Sequence, residues 1–311
     1  MKLPFSRGFQ VVMVLVLLTM GAVSIKVLTE ASRIEPRTEM LSDAVQVDYD
    51  VEYGQVAHAS LRLDVYQPRE WTHSLRPAIL LIHGGGWIEG DKAGERDLAS
   101  VLVPQGFVAF AVNYRLTRHG QSVYPAALLD VRRAARWVRA HASEYGVDPD
   151  RLGAVGLSAG GHLAAVLGTT DDLDPADPNS GFVSARANCV VDTAGPTDFT
   201  DDANPPVGVK IAQVIPIFFG KTRDQIPQAY RDASPALRAD SRAAPTLIVH
   251  GTADDIVPIG QSRRFERALK AAGVEVALIE LPGEGHGISQ PDYRQRWLDA
   301  MSTFLVNHLK P

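Results

Sequence analysis

A serine flanked by small residues, in Gly156-Leu157-Ser158-Ala159-Gly160, has a setting that suits nucleophilic chemistry. A serine hydroxyl is a weak nucleophile until a neighbouring base takes its proton. Two downstream segments offer the remaining parts. Gly283-Glu284-Gly285-His286-Gly287 places an imidazole between glycines, and His250-Gly251-Thr252-Ala253-Asp254-Asp255-Ile256-Val257-Pro258 carries two adjacent carboxylates. The spacing His-Gly-x-x-Asp-x-x-Val-Pro selects Asp254 over Asp255 as the acid that orients His286. Upstream, His83-Gly84-Gly85-Gly86-Trp87 exposes backbone N–H groups without side-chain obstruction. Such donors stabilise the charge that builds on a carbonyl oxygen during acyl transfer. Acyl transfer through a covalent intermediate is the chemistry this set of groups could perform.

These groups must be brought together by the elements that precede them. Each follows a short apolar run: 78–82 before the glycine loop, 152–155 before Ser158, 246–249 before Asp254, and 276–281 before His286. Further runs lie at 107–112 and 190–191. Between them fall stretches with helical spacing. The clearest is 126–145, where Leu128, Leu129, Val131, Ala134, Ala135 and Val138 oppose Arg132, Arg133, Arg136 and Arg139. Fully apolar strands alternating with helices predict an α/β fold with a mostly parallel sheet covered on both faces. In such sheets, functional groups gather at the carboxyl ends of the strands. Period-two alternation at 45–53 and 61–65, joined near Gly54, predicts an antiparallel hairpin at the sheet edge.

The segment from about 198 to 235 breaks the alternation and is expected to form a small lid insertion. Its apolar island at 211–219 suggests that Phe218 and Phe219, with Trp87, line the substrate pocket. The stretch 171–180 reads as a second surface loop.

At the N-terminus, Lys2 and Arg7 precede a long apolar run from Val11 to about Val23. Residues 1–28 are therefore expected to act as a signal peptide, cleaved after Ser24, or as an uncleaved membrane anchor. Either reading puts the catalytic domain outside the cytoplasm, in the periplasm or the extracellular space. Residues 29–44 read as a linker and 45–311 as the catalytic domain. The formal charge of -5 is mild, so nucleic acid is not an expected partner. One cysteine, Cys189, excludes an internal disulfide. No clustered ligand spacing points to a metal, and the chemistry above needs no cofactor.

The set HGGGW, GLSAGGHLA, HGTADDIVP and GEGHG resembles the carboxylesterase/lipase branch of the α/β-hydrolase superfamily, close to bacterial acyl esterases. The resemblance covers about 45–309. It implies the α/β-hydrolase fold and a serine esterase acting on a small-molecule ester, with Ser158 as nucleophile, His286 as base and Asp254 as acid. It also implies that the N–H groups of Ala159, Gly85 and Gly86 bind the oxyanion, with Gly84 shaping the loop. Arylformamidase-like or peptidase-like amide cleavage is the alternative within this fold. A catalytically inactive binding protein is the alternative outside enzymes.

Overall fold

Aliphatic and β-branched runs build the centre of the molecule, because strands covered on both faces must be apolar throughout. The computed structural model describes residues 37–56, 59–70, 74–118, 120–121, 123–200 and 209–310, with backbone alone at 37–40 and 209–210. The signal or anchor expected at 1–28 lies outside the described residues. Among those described, no helix is long and apolar enough to cross a membrane.

Among the described residues, nine strands form one sheet: β1 (Arg37–Met40), β2 (Val45–Val56), β3 (Ala59–Pro68), β4 (Arg76–Ile82), β5 (Val108–Val112), β6 (Val147–Leu157), β7 (Cys189–Thr193), β8 (Thr246–Gly251) and β9 (Val276–Leu281). Their spatial order is β1-β2-β3-β5-β4-β6-β7-β8-β9. The first three strands and the β3–β5 pair are antiparallel, and the rest are parallel. This is the mostly parallel sheet with an antiparallel N-terminal edge that the alternation predicts. One correction falls on the expected linker at 29–44. Its residues 37–40 pair with β2 as an edge strand. Such a strand is held by backbone hydrogen bonds, so its sequence carries little periodic signal.

Helices α1 (Arg96–Leu102), α2 (Ala126–Ala140), α3 (Ala159–Thr169), α4 (Val209–Phe219), α5 (Pro227–Asp232), α6 (Pro235–Arg238), α7 (Gly260–Ala271) and α8 (Pro291–Leu309) complete the described fold. Residues of α2 and α3 share one buried cluster with the sheet, and those of α1 and α8 share another. Gly153 on β6 lets Leu305 and Leu309 of α8 pack directly on the sheet; any Cβ there would meet both side chains.

Helix α2 departs from a simple amphipathic pattern. Arg132, Arg133 and Arg136 are buried rather than solvated. The loop at 171–177 covers them with carboxylates: Arg132–Asp172 at 2.8 Å, Arg133–Asp174 at 3.0 Å, and Arg136 with Asp171 at 3.1 Å and Asp177 at 3.2 Å. A buried guanidinium is tolerated only with such partners. The aspartates of this loop therefore fasten it to the helix.

Candidate active site

Strand β6 runs into α3 with one residue between them, and that residue is Ser158. The turn is so sharp that Ser158 adopts φ 58° and ψ -120°. A side chain in this region costs about 1–3 kcal/mol, which the surroundings must hold in place. They do so through the Ser158 N–H, which donates to the Thr193 carbonyl at 2.8 Å, and the His162 N–H, which donates to the Ser158 carbonyl at 3.0 Å. Small residues are compulsory here. A Cβ on Gly156 would strike the Gly160 carbonyl, and one on Gly160 would strike the carbonyl of Ile82.

The turns after β8 and β9 bring in the two other groups. His286 Nε2 lies 2.8 Å from Ser158 Oγ, and His286 Nδ1 lies 2.8 Å from Asp254 Oδ2. Ser158, His286 and Asp254 thus form one continuous hydrogen-bonded line from residues far apart in sequence. The Asp254 carboxylate is fully buried, whereas Asp255 is exposed. Asp254 Oδ1 accepts from the N–H groups of Ile256 and Val257, each at 2.8 Å. Burial alone would raise the Asp254 carboxyl. Hydrogen bonds from His250 and His286, the attraction of His286 and the Val257 N–H outweigh it and hold the group well below the usual carboxylate range. Asp254 is therefore ionised throughout the neutral range.

Two positioning residues were not singled out from the sequence. His250 is buried, with Nδ1 2.6 Å from Ser262 Oγ and Nε2 near both the Val257 carbonyl at 2.8 Å and Asp254 Oδ2 at 3.0 Å. It pins the Asp254 loop from below. Its signal lay in the HGTADD segment, where it served only as a spacing marker. Glu284 accepts from the N–H groups of Ser289 at 2.8 Å and Gln290 at 3.2 Å, bracketing the His286 turn. The Ser289 N–H first of all lowers the Glu284 carboxyl.

The glycine loop lies beside the serine. A Cβ on Gly84 would come within 3.6 Å of the Ser158 Cβ. Gly85, Gly86 and Trp87 follow at φ 109°, 56° and 62°, a left-handed run that reverses the chain. The turn closes as the N–H groups of Ile88 and Glu89 donate to the Gly85 carbonyl at 3.1 and 3.0 Å. Across from it, Ala159 opens α3, where the first N–H groups have no partner within the helix. A side-chain bridge ties the two halves together. Trp87 Nε1 donates to His162 Nδ1 at 3.2 Å, and His162 Nε2 donates to the Ala233 carbonyl at 2.8 Å. Burial lowers His162 to about 4, so it stays neutral and can accept from the indole. His83 is likewise buried, stacked on Tyr114 at 4.3 Å, with Nδ1 donating to the Gly84 carbonyl at 2.7 Å.

The expected pocket residues require correction. Trp87, Phe218 and Phe219 are buried and offer no surface to a substrate. Trp87 stacks on Phe218 at 4.3 Å, and Phe219 stacks on Tyr230 at 3.8 Å. The apolar island is amphipathic as α4. Phe218 and Phe219 fill its buried face, while Ile217 stays exposed. Phe218→Ala should accordingly destabilise the fold by about 3–5 kcal/mol. Thermal melting checks this, and an unchanged melting temperature would return Phe218 to the pocket.

The BD-FAE family model matches residues 63–269, more than half of the chain. The chain belongs to the BD-FAE family. Among relatives of this BD-FAE member, Esterase LipC of Mycobacterium tuberculosis is 33% identical over 234 residues, covering 74% of this chain and 57% of its own. The chain thus spans little more than half the length of the curated relatives it matches. A thermophilic esterase of Thermogutta terrifontis, Est2, superimposes with a TM-score of 0.73 at 30% identity, covering 84% of this chain and 93% of that one. Esterase 2 of the same organism phosphonylated by sarin superimposes with a TM-score of 0.76 at 29% identity, covering 88% and 98%. The BD-FAE member therefore has an α/β-hydrolase fold, and esterases are among the solved structures it resembles.

Proposed function

We propose that this chain is a serine esterase that cleaves carboxylic esters through an acyl-enzyme on Ser158. The observation that carries the reading is the unbroken line Ser158 Oγ, His286, Asp254, with 2.8 Å at both joints. Neutral His286 takes the Ser158 proton through Nε2 as Oγ attacks the ester carbonyl, and Asp254 stabilises the imidazolium that forms. The oxyanion is held by the N–H groups of Ala159, Gly85 and Gly86. His286 then protonates the departing alcohol. Water, deprotonated by the same imidazole, attacks the acyl-enzyme and releases the acid. These steps call on no cofactor.

The relatives at 33% identity are named esterases and a probable carboxylic ester hydrolase, whereas a dipeptidyl aminopeptidase matches at only 26%, which favours esters over amides. The test is a panel of nitrophenyl esters against aryl formamides and aminoacyl amides, compared by kcat/KM. Esters should be hydrolysed fastest. A formamide or amide turned over faster than every ester would replace this reading with amide hydrolysis, and no turnover with any of them would favour the inactive binding protein.

The charge and apolar pattern of residues 1–28 supports placement of the catalytic domain outside the cytoplasm. Deleting 1–28 should leave a soluble, active enzyme in the cytoplasm. Full-length protein found soluble, uncleaved and cytoplasmic would reject export.

A further inference from the structure

A cleft of about 380 Å³ opens between α1, α8 and the carboxyl ends of β6 and β7. Its apolar walls are Leu98, Val101, Leu157, Ile288, Trp297 and Leu298. Two of these flank the triad in sequence: Leu157 immediately precedes Ser158, and Ile288 follows His286 by two residues. Leu157 is 39% exposed, unusual for a large apolar side chain at the end of a central strand. Ile288, Leu98, Trp297 and Leu298 are all only partly buried at the edge of the core cluster shared by α1 and α8. The wall is firm, because Trp297 Nε1 donates to Thr193 Oγ1 at 3.1 Å and fixes the indole. Ionisable groups also line it: Asp97 and Arg294 are exposed, and burial pushes the Glu95 carboxyl up to about 7.

An apolar recess whose wall includes Leu157, the residue that precedes the nucleophile, has an evident use. A carbonyl held at Ser158 carries two substituents, the acyl chain and the alcohol, and one of them can leave water by entering the recess. We propose that this cleft holds an aliphatic chain of the substrate ester, a reading that rests on Ser158 being the nucleophile. Leu98, Leu157, Ile288 and Trp297 then set the chain length the enzyme accepts, in place of the buried aromatics of α4.

The experiment uses the full chain and two ester series. One lengthens the acyl group from acetyl to octanoyl on a fixed alcohol, and the other lengthens the alcohol on a fixed acetyl group. In the series whose chain enters the cleft, kcat/KM should rise about fourfold per methylene until the space is filled. Leu98→Trp, which narrows the cleft, should lower kcat/KM about tenfold on the longer members while sparing the shortest. Leu98→Ala should carry the rise to longer chains. The responding series tells whether the cleft takes the acyl or the alcohol side. Folding is checked by circular dichroism, and Val101→Phe replaces Leu98→Trp if that variant does not fold. Folded variants with wild-type profiles in both series would overturn the proposal while leaving the esterase reading intact. A wild-type protein inert even toward the shortest ester would instead remove the esterase reading, and this one with it.

Discussion

Asp254→Asn should lower kcat by about 10⁴-fold, while Asp255→Asn should leave it nearly unchanged. The asymmetry follows from where each oxygen points. Asp254 Oδ1 accepts two backbone N–H groups, from Ile256 and Val257, and Oδ2 faces His286 Nδ1 and His250 Nε2. An asparagine must keep its carbonyl oxygen toward the two backbone donors, which places its amide nitrogen where Oδ2 stood. His286 then meets a donor and must present a bare Nδ1 to it. Its proton moves to Nε2, facing Ser158 Oγ, and the ring can no longer take the hydroxyl proton. The amide also carries no charge to stabilise an imidazolium. Asp255 is exposed, and a solvated charge next to the site is screened by water and salt. The measurement is kcat for both variants on one activated ester, with circular dichroism to confirm folding. A crippled Asp255→Asn beside a nearly intact Asp254→Asn would overturn the assignment.

Ser158→Ala should abolish labelling by an organophosphonate and lower kcat by about 10⁶-fold, because no group remains to carry the acyl. The fold should survive. Alanine keeps the Cβ that the turn already accommodates at φ 58°, so the strain is unchanged and only the hydrogen bond to His286 is lost. That bond is worth about 1 kcal/mol. Ser158→Gly goes further. It removes the Cβ from a conformation that glycine adopts freely, so it should melt above wild type, by up to about 1–3 kcal/mol of added stability, while staying inactive. Labelling retained in Ser158→Ala would place the nucleophile elsewhere. A Ser158→Gly protein no more stable than Ser158→Ala would show that the turn stores little strain.

Much of this site could be read from short stretches of sequence, because its demands are local. A strand that turns into a helix within one residue needs glycines where Gly156 and Gly160 stand, and a loop of left-handed residues needs Gly85 and Gly86. Apolar runs marked the parallel strands, and the spacing around His250 singled out Asp254. The sequence by itself thus determined the fold class, the hairpin edge and the residues that meet at the triad.

Tertiary structure decided which surfaces those elements bury. Arg132, Arg133 and Arg136 of α2 oppose its apolar residues in the sequence pattern, yet they are buried beneath aspartates 35 to 41 positions away. Phe218 and Phe219 read as pocket lining because their island is apolar and lies in an insertion. In the structure they complete a stack with Trp87 and Tyr230, contributed by separate segments. An open apolar cleft lies instead between α1 and α8, which leave Leu157 partly exposed. Backbone conformation and periodicity are properties of neighbouring residues and can be read in order along the chain. Burial depends on which distant face arrives to exclude water, and only the assembled fold determines that.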